Sequence, residues 1–136
     1  MLAQATCVLQ DLHALASACC RTAHLLHSVK LVHRDLRMPN VVQLGHQHYM
    51  VIDLESAANL KAKCLPKNFH CVLKTCSAEA LDAAGCFTAM YCIGALLKEA
   101  RPSLSSPQVD TFIHKLMAKE LSAEAALMYL QHEWSP

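Results

Sequence analysis

Apolar residues recur at steps of three and four early in the chain. Leu9, Leu12, Ala16, Cys19, Ala23 and Leu26 form one stripe, with Gln10, Asp11, Arg21 and Ser28 largely outside it. That spacing predicts a helix over 5–28, as one piece or two. Leu31-Val32 then reads as a short strand leading into a polar turn. Val41-Val42-Gln43-Leu44, Gly45-His46-Gln47 and His48-Tyr49-Met50-Val51-Ile52 read as strand, turn and strand, which predicts a β-hairpin with Gly45 as the permissive turn position. Residues 56–76 show no long period and read as a loop. Between Asp82 and Lys98 lies an uncharged run of fifteen residues, Ala83 to Leu97. This is shorter than the ~20 residues a membrane span needs, so the helix expected over 88–99 is a buried core helix. Arg101 to Pro107 reads as a linker. A helix over 108–119 would present Val109, Phe112, Ile113 and Leu116 on one face. The last helix, 123–131, has Ser122 as its N-cap and Glu124 in its first turn. The fold class is mainly α with a small β-hairpin, that is, α+β.

Composition narrows the function. The 136 residues are one domain's worth, and 54% of them are hydrophobic, enough for a core. A net charge of +1 with no basic stripe offers no nucleic-acid face. The eight cysteines form no C-x-x-C pair and no signal peptide is recognisable, so free thiols in a reducing, cytoplasmic setting are expected. His24 and His27 fall on the first helix and His46 and His48 in the turn. A zinc site among them is the minority reading beside surface and core histidines.

The chemistry concentrates in one stretch. His33, Arg34 and Asp35 stand together, Asn40 follows five places after Asp35, and Asp53 follows Asn40 by thirteen. Asn40 begins the hairpin and Asp53 ends it, so antiparallel pairing places the two side by side. One carboxylate to orient or deprotonate a hydroxyl, with an amide and a second carboxylate to hold Mg²⁺ on a nucleotide, is a set suited to phosphoryl transfer.

The run His33-Arg34-Asp35-Leu36-x-x-x-Asn40 resembles the protein-kinase catalytic loop H-R-D-L-x-x-x-N at every fixed position. The resemblance extends from about residue 9 to the C-terminus and is to the C-terminal lobe only. It implies a protein-kinase-like C-lobe over 1–136. Its parts would be a catalytic loop at 33–40, a metal-binding segment at 53–55, an activation-like segment at 56–79 and a helical remainder at 80–134. It implies that Asp35 acts as base, that Arg37 steadies the γ-phosphate, and that Asn40 and Asp53 ligate Mg²⁺. His33 and Arg34 would brace the loop. ATP and Mg²⁺ are the cofactors implied. The partner would be a protein substrate, a partner kinase or a separate N-lobe, with no nucleic acid and no membrane.

The sequence departs from the family pattern in several places. Asp53-Leu54-Glu55 replaces D-F-G, with Leu54 standing in for an aromatic packing residue. Ser77-Ala78-Glu79 stands for A-P-E, and Glu120 occupies the place of the arginine that would pair with Glu79, with Lys119 beside it, so that ion pair is missing or rebuilt through Lys119. In Ala89-x-Tyr91-x-x-Gly94 the aspartate of D-x-W-x-x-G is missing. Leu121-Ser122-Ala123-Glu124-Ala125-Ala126-Leu127 through Trp134 resembles the kinase ending, with Trp134 packed on the last helix. No G-x-G-x-x-G loop and no V-A-I-K strand precede the catalytic loop. Two other functions therefore stand beside ATP-dependent protein phosphorylation. One is a catalytically inactive, kinase-derived binding or scaffold module. The other is a small-molecule phosphotransferase, suggested by the D-x-E ending.

Overall fold

The structure is a computed structural model that describes residues 2–59, 85–101 and 106–134. Expectations for Ser77-Ala78-Glu79 and for most of the activation-like segment and the linker lie outside the described residues. The elements run in the order α1 (Leu2–Ser28), β1 (Leu31–Val32), a 3₁₀ turn (Met38–Asn40), β2 (Val41–Gly45), β3 (His48–Val51), β4 (Ala58–Asn59), α2 (Gly85–Ala100), α3 (Pro107–Met117) and α4 (Ala123–His132). The architecture is mainly helical, with two small antiparallel sheets. One pairs β2 with β3, and the other pairs β1 with β4.

α1 is a single helix rather than two. Leu12, Ala16, Cys19 and Ala23 are buried as the stripe predicts, and Leu15 and Cys20 join them. The helix packs on α4, on α2 and on β3. Gln10 and Asp11, outside the apolar stripe, are half-buried because the hairpin lies over them. β4 falls in the stretch read as a loop; a two-residue strand has too little sequence to show a period.

α2 is buried nearly all round, through Ala89, Met90, Cys92, Ile93, Leu96 and Leu97. This agrees with its lack of an apolar stripe and its uncharged sequence. Among the described residues no helix is long and apolar enough to cross a membrane. Gly94 sits where α2 meets α3. A Cβ there would lie 2.8 Å from Met117 Cγ, 3.0 Å from Leu116 Cβ and 3.3 Å from the Ile113 carbonyl oxygen. The Met117 side chain can yield, but the other two atoms belong to the body of α3. Gly94→Ala gains ~1 kcal/mol of helix propensity and incurs overpacking of roughly 1–3 kcal/mol. A net loss of about 1 kcal/mol is expected, read as a lower urea midpoint with unchanged slope; a stabilised variant would refute the close approach.

α3 buries the four residues its spacing picks out, Val109, Phe112, Ile113 and Leu116. α4 opens on Ser122, whose hydroxyl accepts the Ala125 N–H at 3.1 Å. Trp134 does more than pack on the last helix. Its ring meets His13 of α1 edge-on at 5.1 Å and Phe112 of α3 at 5.7 Å, so it joins three helices. Glu120 pairs with Lys115 at 3.4 Å. Lys119 takes a left-handed backbone, φ 60°, in the turn between α3 and α4.

Burial in α1 has a consequence at high pH. Cys19 and Cys20 are free thiols packed in the core. Burial pushes the Cys19 thiol up to about 12, and burial followed by the charge of Cys19 pushes Cys20 well above its ordinary value. A thiol whose folded value is raised stabilises the fold fully below its unfolded value, near 9, and loses that contribution as pH rises towards 12. Above pH 9, stability is expected to fall by up to about 1.4 kcal/mol per pH unit for each thiol. Denaturant midpoints taken from pH 8 to 11 test this. A Cys19→Ala, Cys20→Ala variant should show a flatter profile, and an equally steep one would refute the assignment.

Candidate functional site

The polar stretch folds as an irregular loop braced from within. β1 delivers His33 into the interior, where it is 1% exposed. Its Nδ1 accepts the Asp35 N–H at 3.2 Å and its Nε2 donates to the Ile52 carbonyl at 2.9 Å. A ring nitrogen that accepts a backbone N–H carries no proton, which assigns the ring hydrogen to Nε2. This one side chain ties the loop to the end of the hairpin. Arg34 has φ 66°, and its Nε donates to the Ser56 carbonyl at 2.7 Å, which joins the loop to the segment beyond the hairpin. Leu36 is buried and anchors the middle of the loop.

Asp35 and Asn40 are in direct contact. Asn40 Nδ2 donates to the Asp35 carboxylate Oδ2 at 2.8 Å and to the Asp35 backbone carbonyl at 2.9 Å. Arg37 Nε donates to the other carboxylate oxygen, also at 2.8 Å. Pro39 holds the 3₁₀ turn that brings Asn40 back, and the Asn40 N–H closes it on the Arg37 carbonyl at 2.9 Å. Each carboxylate oxygen keeps lone-pair capacity beyond these two donors, so Asp35 is held in place and can still accept a hydrogen bond from a hydroxyl. Position 89 is an alanine buried in the core, and among the described residues His33 and Asn40 hold the loop backbone.

Pairing of β2 with β3 brings the second carboxylate near. Val41 lies opposite Val51, and beyond that pair the Ile52 N–H donates to the Asn40 carbonyl at 2.8 Å. Asn40 and the Ile52-Asp53 dipeptide are therefore neighbours, as the hairpin predicts. Asp53 has a left-handed backbone, φ 63°, a conformation that aspartate tolerates through local hydrogen bonding. Its Oδ1 accepts the Glu55 N–H at 3.2 Å, which stabilises that turn. Leu54 differs from expectation: it is 56% exposed and packs into no core. The hairpin turn also differs. Gly45 belongs to β2, at a register irregularity, and Gln47 takes the left-handed conformation, φ 58°.

A magnesium ion prefers hard oxygen donors, one or two carboxylates completed by phosphate oxygens and water. Asn40 uses its amide nitrogen on Asp35, which leaves its amide oxygen uncommitted among the described residues. Asp53 keeps one carboxylate oxygen in the same condition. This donor set fits Mg²⁺. Among the described residues there is no group of three or more His, Cys, Asp or Glu side chains able to hold a metal.

Residue spacing identifies Asp35, Asn40 and Asp53, and Arg37 enters through the resemblance; the fold bonds Arg37 and Asn40 to Asp35 and sets the backbone of Asp53 next to that of Asn40. The acceptors on Ile52 and Ser56 were not identified. Both are backbone carbonyls, which every residue has, so no side-chain pattern marks them. Comparison with models of known families, with curated proteins and with solved structures finds no match.

Proposed function

We propose that this chain is a protein-kinase-like C-lobe carrying the catalytic and metal-binding half of a site for transfer of the ATP γ-phosphoryl group to a protein hydroxyl. The observation that carries the reading is that a 3₁₀ turn and a hairpin bring the residues Asp35, Asn40 and Asp53 to one end of the sheet. Asp35 is bonded to Asn40 at 2.8 Å, and Asn40 is bonded through its carbonyl to the residue preceding Asp53 at 2.8 Å. In this reading Asp35 orients the acceptor hydroxyl and takes its proton. Arg37 sits beside it to meet the transferred phosphoryl group. Asn40 and Asp53 hold Mg²⁺, which neutralises charge on the nucleotide phosphates when bound. His33 and Arg34 keep the loop and the hairpin end in register.

Residues 2–28 form one helix and supply no cover for the nucleotide; in this reading the cover comes from a partner kinase or from a lobe outside these 136 residues. Without that cover, phosphoryl transfer by this chain alone is expected to be slow, because positioning supplies most of its catalysis. A second reading, a binding module without catalysis, draws on the exposed apolar side chains Leu44, Met50 and Leu54 on and beside the hairpin.

Thermal unfolding with and without Mg-ATP separates the two. At a ligand concentration of ~100 Kd, binding to the folded chain stabilises it by about 2.7 kcal/mol. The expected result is a higher Tm with Mg-ATP, and loss of that rise in Asp53→Ala. A cooperative transition indifferent to nucleotide would sink the phosphotransfer reading and favour the binding module.

A further inference from the structure

Asn40 directly precedes β2 and Asp53 stands two residues after β3. Their separation is therefore a matter of strand register. Local pairing holds that register weakly. The sheet has two strands only, and its pairing is irregular between Gln43 and Gly45. Tyr49 and Val51 touch the core, yet an open groove of about 460 Å³ runs between α1 and β3, lined by Ser17, Ala18, Arg21 and Met50 among others. The strand is thus not close-packed on the helix along its length.

The attachment is at the turn. Gln47 Nε2 donates to Gln10 Oε1 of α1 at 3.1 Å. Next to it, His46 Nδ1 lies 3.9 Å from Asp11 Oδ1, a buried oxygen with no hydrogen bond among the described residues. Gln47 has a left-handed backbone, φ 58°.

We infer that Gln10 and Gln47 form a latch that fixes the hairpin register, and through β3 holds Asp53 beside Asn40. They are positioning residues. The latch rests on the phosphotransfer reading for its purpose; its geometry stands apart from that reading.

Two variants isolate it. Gln47→Asn keeps a residue that tolerates the left-handed turn but shortens the side chain by one methylene. Gln10→Ala removes the acceptor. The first readout is amide exchange at Ile52, whose N–H closes the base of the hairpin on Asn40. Each variant is expected to exchange about fivefold faster there, the effect of one net hydrogen bond, with unchanged exchange in α3 and no further gain in the double variant. Unchanged exchange at Ile52, or equal acceleration in α3, overturns the latch. The second readout is the Mg-ATP rise in Tm. A wild-type chain with no rise refutes the phosphotransfer reading, while Ile52 exchange still decides the latch. Where the wild type shows the rise, the variants should show a smaller one; an undiminished rise overturns the positioning role.

Discussion

His33→Ala is expected to destabilise the fold by about 4 kcal/mol and to loosen the loop that carries Asp35 and Asn40. The imidazole is 1% exposed and satisfies two backbone groups, the Asp35 N–H and the Ile52 carbonyl. Truncation leaves both without a partner inside the protein, at roughly 1–3 kcal/mol each, and opens a cavity as well. Asparagine is too short to span both partners, so His33→Asn is expected to recover only part of the loss. Urea unfolding measures the stability, and amide exchange at Asp35 measures the local effect. A loss under 1 kcal/mol would show that the histidine does not tie the loop to the hairpin. The effect should also reach ligand binding, because the same ring links the loop of Asp35 to the strand end before Asp53.

Phe112→Ala is expected to cost about 4 kcal/mol, through packing rather than through the site. The ring is fully buried on α3. It stacks on Tyr129 of α4 at 5.1 Å with an interplanar angle of 25°, and meets Trp134 at 5.7 Å. Removing a buried phenyl group costs about 3–5 kcal/mol in total, a range that already includes the geometry-dependent attraction of its aromatic pairs. Phe112→Leu keeps most of the volume and should cost less than half as much. Trp134 fluorescence reports the same event directly, because its indole lies between Phe112 and His13. If Phe112→Ala lost less than 2 kcal/mol, α4 would not be docked through this aromatic cluster. The variant should leave any Mg-ATP rise in Tm intact, since α3 packs chiefly against α2 and, through Phe112, on Tyr129 and Trp134. That contrast with Asp53→Ala separates loss of stability from loss of the site.

Helices were legible wherever one face is buried. In α3 the positions 109, 112, 113 and 116 are four apolar residues at helical spacing, and all four are buried. α2 was legible through the opposite signal, an uncharged stretch without a polar face, and it is buried almost all round. Gly94 carries a residue-type signal, but only the approach of Leu116 and Met117 shows what the missing side chain makes room for. Leu54 shows the limit of reading by substitution. An apolar residue at this position reads as a packing residue, and it lies exposed.

The sequence by itself determined the hairpin, the spacing of Asp35, Asn40 and Asp53, and the main helices. These are local properties, set by periodicity, by turn residues and by the five-residue return through Pro39. The tertiary structure alone decided what holds them. The Ile52 carbonyl receives His33, the Ser56 carbonyl receives Arg34, and Gln10 of α1 receives the turn at Gln47. It also put the left-handed residue at Gln47 rather than at a glycine, because strand pairing and contact with α1 outweigh a backbone preference of about 1 kcal/mol. Long-range partners of this kind are backbone groups and ordinary amides. They leave no mark on the sequence, and only the packing of α1 against the hairpin selects them.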